Sequence, residues 1–224
     1  MKIGAITVGQ APRVDVTADI MDIFEEGTEL LQRGGLDGLT RQEIEAFAPR
    51  EGDYVLVSRL TDGSHVTFAE RCILDRLQKG IEELEEAGVA MILVFCTGHF
   101  PENLKAHVPM IFPEELLTRI VPLMTAKSSI CTVTPSPLQL EQNRAKWSAY
   151  VKSVTNLAAN PYGDMASIRA AAEACAVMED VDLIVLDCIG FTREMKNMFS
   201  EITGKRVILP RTLLARVISE VTNH

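Results

Sequence analysis

One passage of this 224-residue chain occurs twice. VAMILVFCTGHF (89–100) matches VDLIVLDCIGFT (181–192), cysteine for cysteine. Two more pairs flank it. KIGAITV (2–8) resembles KSSICTV (127–133), and IFPEELLTRIV (111–121) matches ILPRTLLARVI (208–218) with Pro, Leu-Leu and Arg in register. The three offsets are 125, 92 and 97, so the first half carries about 30 extra residues, expected largely within 26–53. There Thr40 and Glu43 form a Thr-x-x-Glu capping box that opens a short helix. The period is far longer than a solenoid repeat. A duplication of this size implies two quasi-equivalent halves with a cleft between them.

Each half alternates short apolar runs with helical patterns. Buried strands are expected at 2–8, 54–60, 89–95, 108–112, 128–133, 181–187 and 206–210. Helices are expected at 68–87, 114–125, 166–178 and 212–221, the first carrying Ala69, Cys72, Ile73, Leu77, Ile81 and Leu84 on one stripe. Strands alternating with helices indicate an α/β fold with parallel sheets and right-handed crossovers. Runs that are apolar at every position suit strands covered on both faces.

Charge and cysteine usage narrow the function. A formal net charge of −9 with scattered Lys and Arg disfavours nucleic acid as a partner, because phosphate binding needs a basic face. No signal peptide and no apolar run long enough for a membrane span is expected, so no membrane partner. Cys72, Cys96, Cys131, Cys175 and Cys188 are odd in number, widely spaced and contain no Cys-x-x-Cys. They read as free thiols of a reducing cytoplasm, with neither a disulfide framework nor a metal site. No Walker or His-Glu-x-x-His motif occurs, and Gly34-Gly35-x-x-Gly38 lacks dinucleotide spacing and a preceding strand, so no cofactor is expected.

Ligands of open α/β sheets bind beyond the carboxyl ends of the strands. Cys96 and Cys188 each end a buried strand and precede a glycine-containing loop, so a pseudo-twofold brings both to one cleft. Two facing thiols suit proton transfer at carbon: one, as thiolate, removes a proton, and the other returns one to the opposite face. A thiol of ordinary pKa near 8.5 must be shifted down to act as a base, and a helix N-terminus beyond the strand end is one means of doing so.

FCTGH, DCIGF and the half-repeats resemble the aspartate/glutamate racemase superfamily, which includes hydantoin racemases, maleate isomerases and arylmalonate decarboxylases. GAITVGQAPR, LDGLT-x-x-EI, CTGHF and LDCIGF resemble the AroM family within it, over essentially the whole chain. The resemblance implies two flavodoxin-like three-layer halves with the active site in the cleft between them. The halves would be 1–113 plus 211–224, the last helix packing back on the first half, and 114–210. It implies Cys96 and Cys188 as the catalytic pair. Substrate-binding loops would be Gly9-Gln10 after the first strand, Thr97-Gly98, Thr134-Pro135-Ser136 and Gly190-Phe191, whose amides stabilise an enediolate-like intermediate. In two places the chain departs from the racemase pattern: Thr97 stands directly after Cys96 where that signature has Asn, and Asp187 precedes Cys188.

The implied function is a cofactor-independent racemase or isomerase acting on a small carboxylate, with a homodimer as the candidate assembly. A lyase or decarboxylase using mainly Cys188 and a non-catalytic carboxylate-binding protein are the alternatives. His99 reads as a proton carrier, an exposed loop residue or a helix cap, Asp187 as a base-orienting carboxylate or a loop cap, and Arg13 as a contact to an anionic substrate. Cys72, Cys131 and Cys175 read as core residues, Trp147 as a helix anchor, and His65 and His107 as loop residues.

Overall fold

The computed structural model describes residues 1–100 and 104–222. Residues 101–103, and residues 223–224 of the expected 211–224 segment, lie outside them. The first half comprises β1 (Lys2–Thr7), α1 (Val14–Thr17), β2 (Glu29–Gly34), α2 (Arg41–Glu45), β3 (Val55–Arg59), β4 (His65–Ala69), α3 (Leu74–Glu86), β5 (Ile92–Phe95), β6 (Met110–Ile111) and α4 (Pro113–Met124). The second comprises β7 (Ser129–Thr134), α5 (Leu140–Ser148), β8 (Ser153–Ala158), α6 (Met165–Ala176), β9 (Leu183–Leu186), α7 (Arg193–Thr203), β10 (Arg206–Ile208) and α8 (Pro210–Thr222).

Two four-stranded sheets result, ordered β2-β1-β5-β6 and β10-β9-β7-β8, and every neighbouring pair is parallel. Within each half the order is second, first, third, fourth. That is the flavodoxin-like order, whose switch point lies between the first and third strands. The register refines the duplication. Gly4 pairs with Ile92, and Cys131 pairs with Ile184, the repeat mate of Ile92. The first strands therefore correspond at an offset of 127 rather than 125. Ile92 and Ile184 also pair with Met110 and Val207, which preserves the offset of 97.

The extra residues of the first half sit at 35–73, between β2 and α3, rather than at 26–53. The expected strand at 54–60 joins neither parallel sheet. β3 pairs antiparallel with β4 in a separate hairpin. Asp62 accepts the Ser64 N–H at 2.8 Å, and Gly63 takes a φ of 87°, which turns the chain back. The helix expected at 68–87 consequently starts at Leu74: Ala69 ends β4, and Cys72 lies in a short 3-10 turn. α3 buries Leu77, Ile81 and Leu84 as its stripe predicts, each contributing roughly 2 kcal/mol of apolar burial. The Thr40–Glu43 capping box forms as read, with the Thr40 hydroxyl accepting the Glu43 N–H at 3.3 Å. β2, β8, α1 and α7 were not anticipated from sequence, and α5 only through Trp147, read as a helix anchor.

The last helices of the two halves cross over. α4 places Leu117 and Val121 among Ile130, Leu183 and Val185 of the second sheet. α8 places Leu214, Ala215 and Ile218 among Ile3, Ala5, Leu93 and Phe95 of the first. Cys131 and Cys175 are fully buried with their sulfurs 3.2 Å apart, whereas Cys72 is half-buried.

Candidate functional site

The two switch points meet across the interface of the halves. β1 and β5 deliver Val8 and Cys96, and β7 and β9 deliver Pro135 and Cys188. A small cavity of about 30 Å³ lies between them, room for about two water molecules. Cys96, Thr97, Gly98, Thr134, Pro135, Asp187 and Cys188 line it. Tyr54, Leu56 and Val57 of the hairpin close one side, and Gln139, Gln142, Asn143 and Lys146 close the other.

Both thiols sit in the same local turn. The Gly98 N–H donates to Cys96 Sγ, and the Gly190 N–H donates to Cys188 Sγ, each at 3.3 Å. These two amides, expected as oxyanion donors, are thus given to sulfur. Burial pushes the Cys96 thiol up to about 12; the Gly98 N–H draws it back, Cys188 and Glu70 add to the rise, and Lys146 opposes it. Burial raises the Cys188 thiol too, against the Gly190 N–H, Arg13 and Tyr162, with Asp187 adding to the rise. The helix N-terminus expected to lower a thiol is at neither sulfur. α7 begins only at Arg193, capped by Thr192, and among the described residues no helix starts between Cys96 and Pro113.

Asp187 is the centre of a buried polar network. Its Oδ2 accepts from Asn143 Nδ2 at 2.6 Å, Trp147 Nε1 at 2.7 Å and Lys146 Nζ at 2.6 Å. Its Oδ1 is buried without a partner among the described residues. Lys146 also donates to the Thr97 carbonyl at 3.2 Å, and Thr97 Oγ1 donates to the Asp187 carbonyl at 3.0 Å. These bonds tie the first cysteine loop to the second. Burying Lys146 and Asp187 together is tolerable only because each neutralises the other. The Asp187 carboxylate thus ties the second cysteine loop to three side chains of α5.

The remaining expected contacts do not line the cavity. A Cβ on Gly9 would lie 2.3 Å from Ser58 Oγ, so this glycine lets β1 approach the hairpin. Gln10 accepts from the N–H and hydroxyl of Thr61 at 2.9 and 3.0 Å and spans local loops. Arg13 is 2% exposed and is held by both oxygens of Asp15 at 2.8 and 2.7 Å. His99 is exposed and pairs with Glu114 at 3.0 Å. Ser136 caps the turn after β7 by accepting the Leu138 N–H. Gly190 packs under Tyr162, and Phe191 is a core residue of the second half. Sequence reasoning missed Tyr54, Tyr162, Lys146 and Asn143. A usable signal exists for the last two: Asn143, Lys146 and Trp147 share one face of α5 by their spacing. Among the described residues no three His, Cys, Asp or Glu side chains gather where a metal could be held.

Two parallel sheets of order 2-1-3-4, related by pseudo-symmetry around a shared cleft, define the aspartate/glutamate racemase type of fold. The chain is similar to the maleate isomerase Iso from Pseudomonas putida S16 at 16% identity and TM-score 0.66, over 99% of this chain and 92% of that one. It is similar to allantoin racemase from Klebsiella pneumoniae at 18% identity and TM-score 0.61, over 99% and 87%. It is also similar to glutamate racemase from Aquifex pyrophilus at 15% identity and TM-score 0.58, over 100% and 84%. No curated protein matches it by sequence. A family model described as AroM protein matches residues 3–222, and the chain belongs to that family.

Proposed function

We propose that this protein is a cofactor-independent racemase or isomerase of a small carboxylate, with Cys96 and Cys188 as the acid/base pair. What carries the reading is the duplicated Cys-x-Gly turn: two equivalent strand ends set a thiol each on one cavity, both with the sulfur fixed by the glycine amide two residues on. One thiolate takes the proton from carbon, and the opposite thiol returns one to the other face. Lys146, buried on the cavity wall with its charge matched by Asp187, is a hydrogen-bond donor there in place of the glycine amides. Thr97, Thr134 and Pro135 shape the carboxylate end. Division of the chain into 1–113 plus 211–224 and 114–210 belongs to the same reading; the crossover of α4 and α8 between the two apolar cores supports it.

The test is solvent deuterium incorporation, followed by NMR, into a panel of 2-amino, 2-hydroxy and cis-dicarboxylic acids. Cys96→Ala and Cys188→Ala are each expected to cut exchange by about 10²-fold or more, the range of a lost general acid or base. Loss in Cys188→Ala alone would replace this reading by a one-thiol lyase. Binding without turnover in any variant would reduce the protein to a carboxylate receptor.

A further inference from the structure

The two thiols share a turn but not a neighbourhood. Tyr162, on the loop between β8 and α6, places its hydroxyl 3.9 Å from Cys188 Sγ. The same hydroxyl lies 3.2 Å from Arg13 Nη2. A guanidinium has donors only, so the Tyr162 oxygen accepts from Arg13 and keeps its own proton for the sulfur. Arg13 is fixed from behind by Asp15 and reaches Thr7 and Ser58 with its other nitrogen, both at 3.4 Å. A Cβ on Gly190 would fall 2.4 Å from the Tyr162 oxygen, so glycine is what lets the phenol approach. His65, itself bonded to Asn160 at 3.1 Å, stacks on the Tyr162 ring with centroids 6.3 Å apart. Near Cys96 the corresponding aromatic is Tyr54, whose hydroxyl accepts the His99 N–H at 3.0 Å.

We propose that Arg13 and Tyr162 are positioning residues: they form a donor relay that makes Cys188 the thiolate, proton-abstracting member of the pair. The proposal rests on the two-thiol reading above. Cys188 as thiolate is stabilised by two hydrogen-bond donors, the Gly190 N–H and the Tyr162 O–H, with the Arg13 charge behind the second. Donors to the charged form favour it. Facing these are Asp187, already matched by Lys146, and Cys96 across the cavity, which starts as the thiol. In the reaction the Cys188 thiolate takes the substrate C–H proton and becomes a thiol. Cys96 gives its S–H proton to the opposite face and becomes the thiolate. Charge is conserved, and the reverse direction restores the resting pair. Arg13, read from sequence as a substrate contact, thereby acts through Tyr162 on the sulfur.

The test needs no substrate. The full-length protein is alkylated with iodoacetamide across a pH series, and each cysteine is quantified by mass spectrometry. The alkylation midpoint of Cys188 is expected below that of Cys96. Tyr162→Phe is expected to raise the Cys188 midpoint by about one pH unit, a tenfold change in thiolate, and to leave the Cys96 midpoint unchanged. The thiolate ultraviolet absorbance that disappears on Cys188→Ala reads the same midpoint where burial blocks the reagent. A Cys188 midpoint unmoved in folded Tyr162→Phe, or a lower midpoint at Cys96, overturns the relay. Deuterium exchange lost in both cysteine variants beside an unmoved midpoint retains the enzyme and removes the relay. A moved midpoint without exchange in any protein retains the relay and removes the enzyme.

Discussion

Glu70 ends the hairpin with a carboxyl oxygen, Oε1, that is buried and without a partner among the described residues. Its backbone N–H donates to the Tyr54 carbonyl at 3.0 Å, which ties it to the cavity wall. Burial pushes its carboxyl up from 4.5 to about 7, with His99 pulling it back. A raised carboxyl pKa means that the folded protein holds a proton that the unfolded chain releases. Stability from this group is therefore present below about pH 4.5, falls as pH rises toward 7, and stays low above that. Glu70→Gln removes the slope. The variant is expected to melt higher than wild type at pH 8 and to match it near pH 4, as read by thermal denaturation at both values. Equal melting temperatures at pH 8 would show that this carboxyl is relieved by solvent. Neither Glu70 nor Tyr162 stands in a motif. Each matters because a loop folds it onto a strand end far away in sequence, which no local pattern reports, whereas Cys96 and Cys188 were legible because the duplication marks both.

The β3–β4 hairpin is the element that breaks the pseudo-symmetry, and it closes the cavity. Its β3 edge is held by the second half: the Val55 N–H donates to Gln142 Oε1 at 3.0 Å, and the Val55 carbonyl accepts from Gln142 and Gln139 at 2.9 and 3.1 Å. The hairpin residues Tyr54, Leu56 and Val57 thus wall the cavity that both thiols line. Gln142→Ala removes two of the three tethers, each worth about 1 kcal/mol. Hydrogen exchange by mass spectrometry is expected to quicken several-fold over 55–69 and to remain unchanged over 2–7. Equal protection in both proteins would mean that the hairpin is held from within the first half. The hairpin was misread because Phe68, Ala69 and Cys72 continue the apolar spacing of α3 backwards, so a strand end looked like a first helical turn. The edge strands β2 (ELLQRG) and β8 (SVTNLA) were missed for a related reason. A strand covered on fewer sides carries fewer apolar residues, and its pattern fades. The central strands, buried on both faces, were read close to their true bounds.

At the scale of the whole molecule, the halves are joined by a residue that the repeat does not mark. Arg211, in the first turn of α8, is 1% exposed. Its Nε and Nη2 donate to the Ile189 carbonyl, directly after Cys188, at 2.8 and 2.6 Å. Its Nη1 donates to the Asp15 carbonyl at 2.6 Å and to Asp19 Oδ2 at 2.9 Å. One guanidinium thus fastens the second cysteine loop to the start of the first half, beside the Asp15 that holds Arg13. The duplicated Leu-Leu and Arg pattern made α8 legible as a helix, but it is Arg119 and Arg216 that the pattern pairs. Arg211 has no repeat mate, because the clamp is asymmetric: it exists where α8 crosses back. Leu at this position preserves apolar bulk and leaves the Ile189 carbonyl and the Asp19 carboxylate without their buried donor. Removing one member of a buried charge pair costs about 3 to 5 kcal/mol. Arg211→Leu is therefore expected to lower the urea midpoint by an amount equivalent to about 3 kcal/mol. Arg211→Lys keeps the charge but cannot reach Ile189, Asp15 and Asp19 together, because its donors converge on one nitrogen, so it is expected to fall between the two. The alkylation midpoint of Cys188 separates this clamp from general stability: a shift in Arg211→Lys at a pH where the protein stays folded places the clamp in the geometry of the thiol. A wild-type urea midpoint in Arg211→Leu would show instead that the apolar face of α8 alone joins the halves.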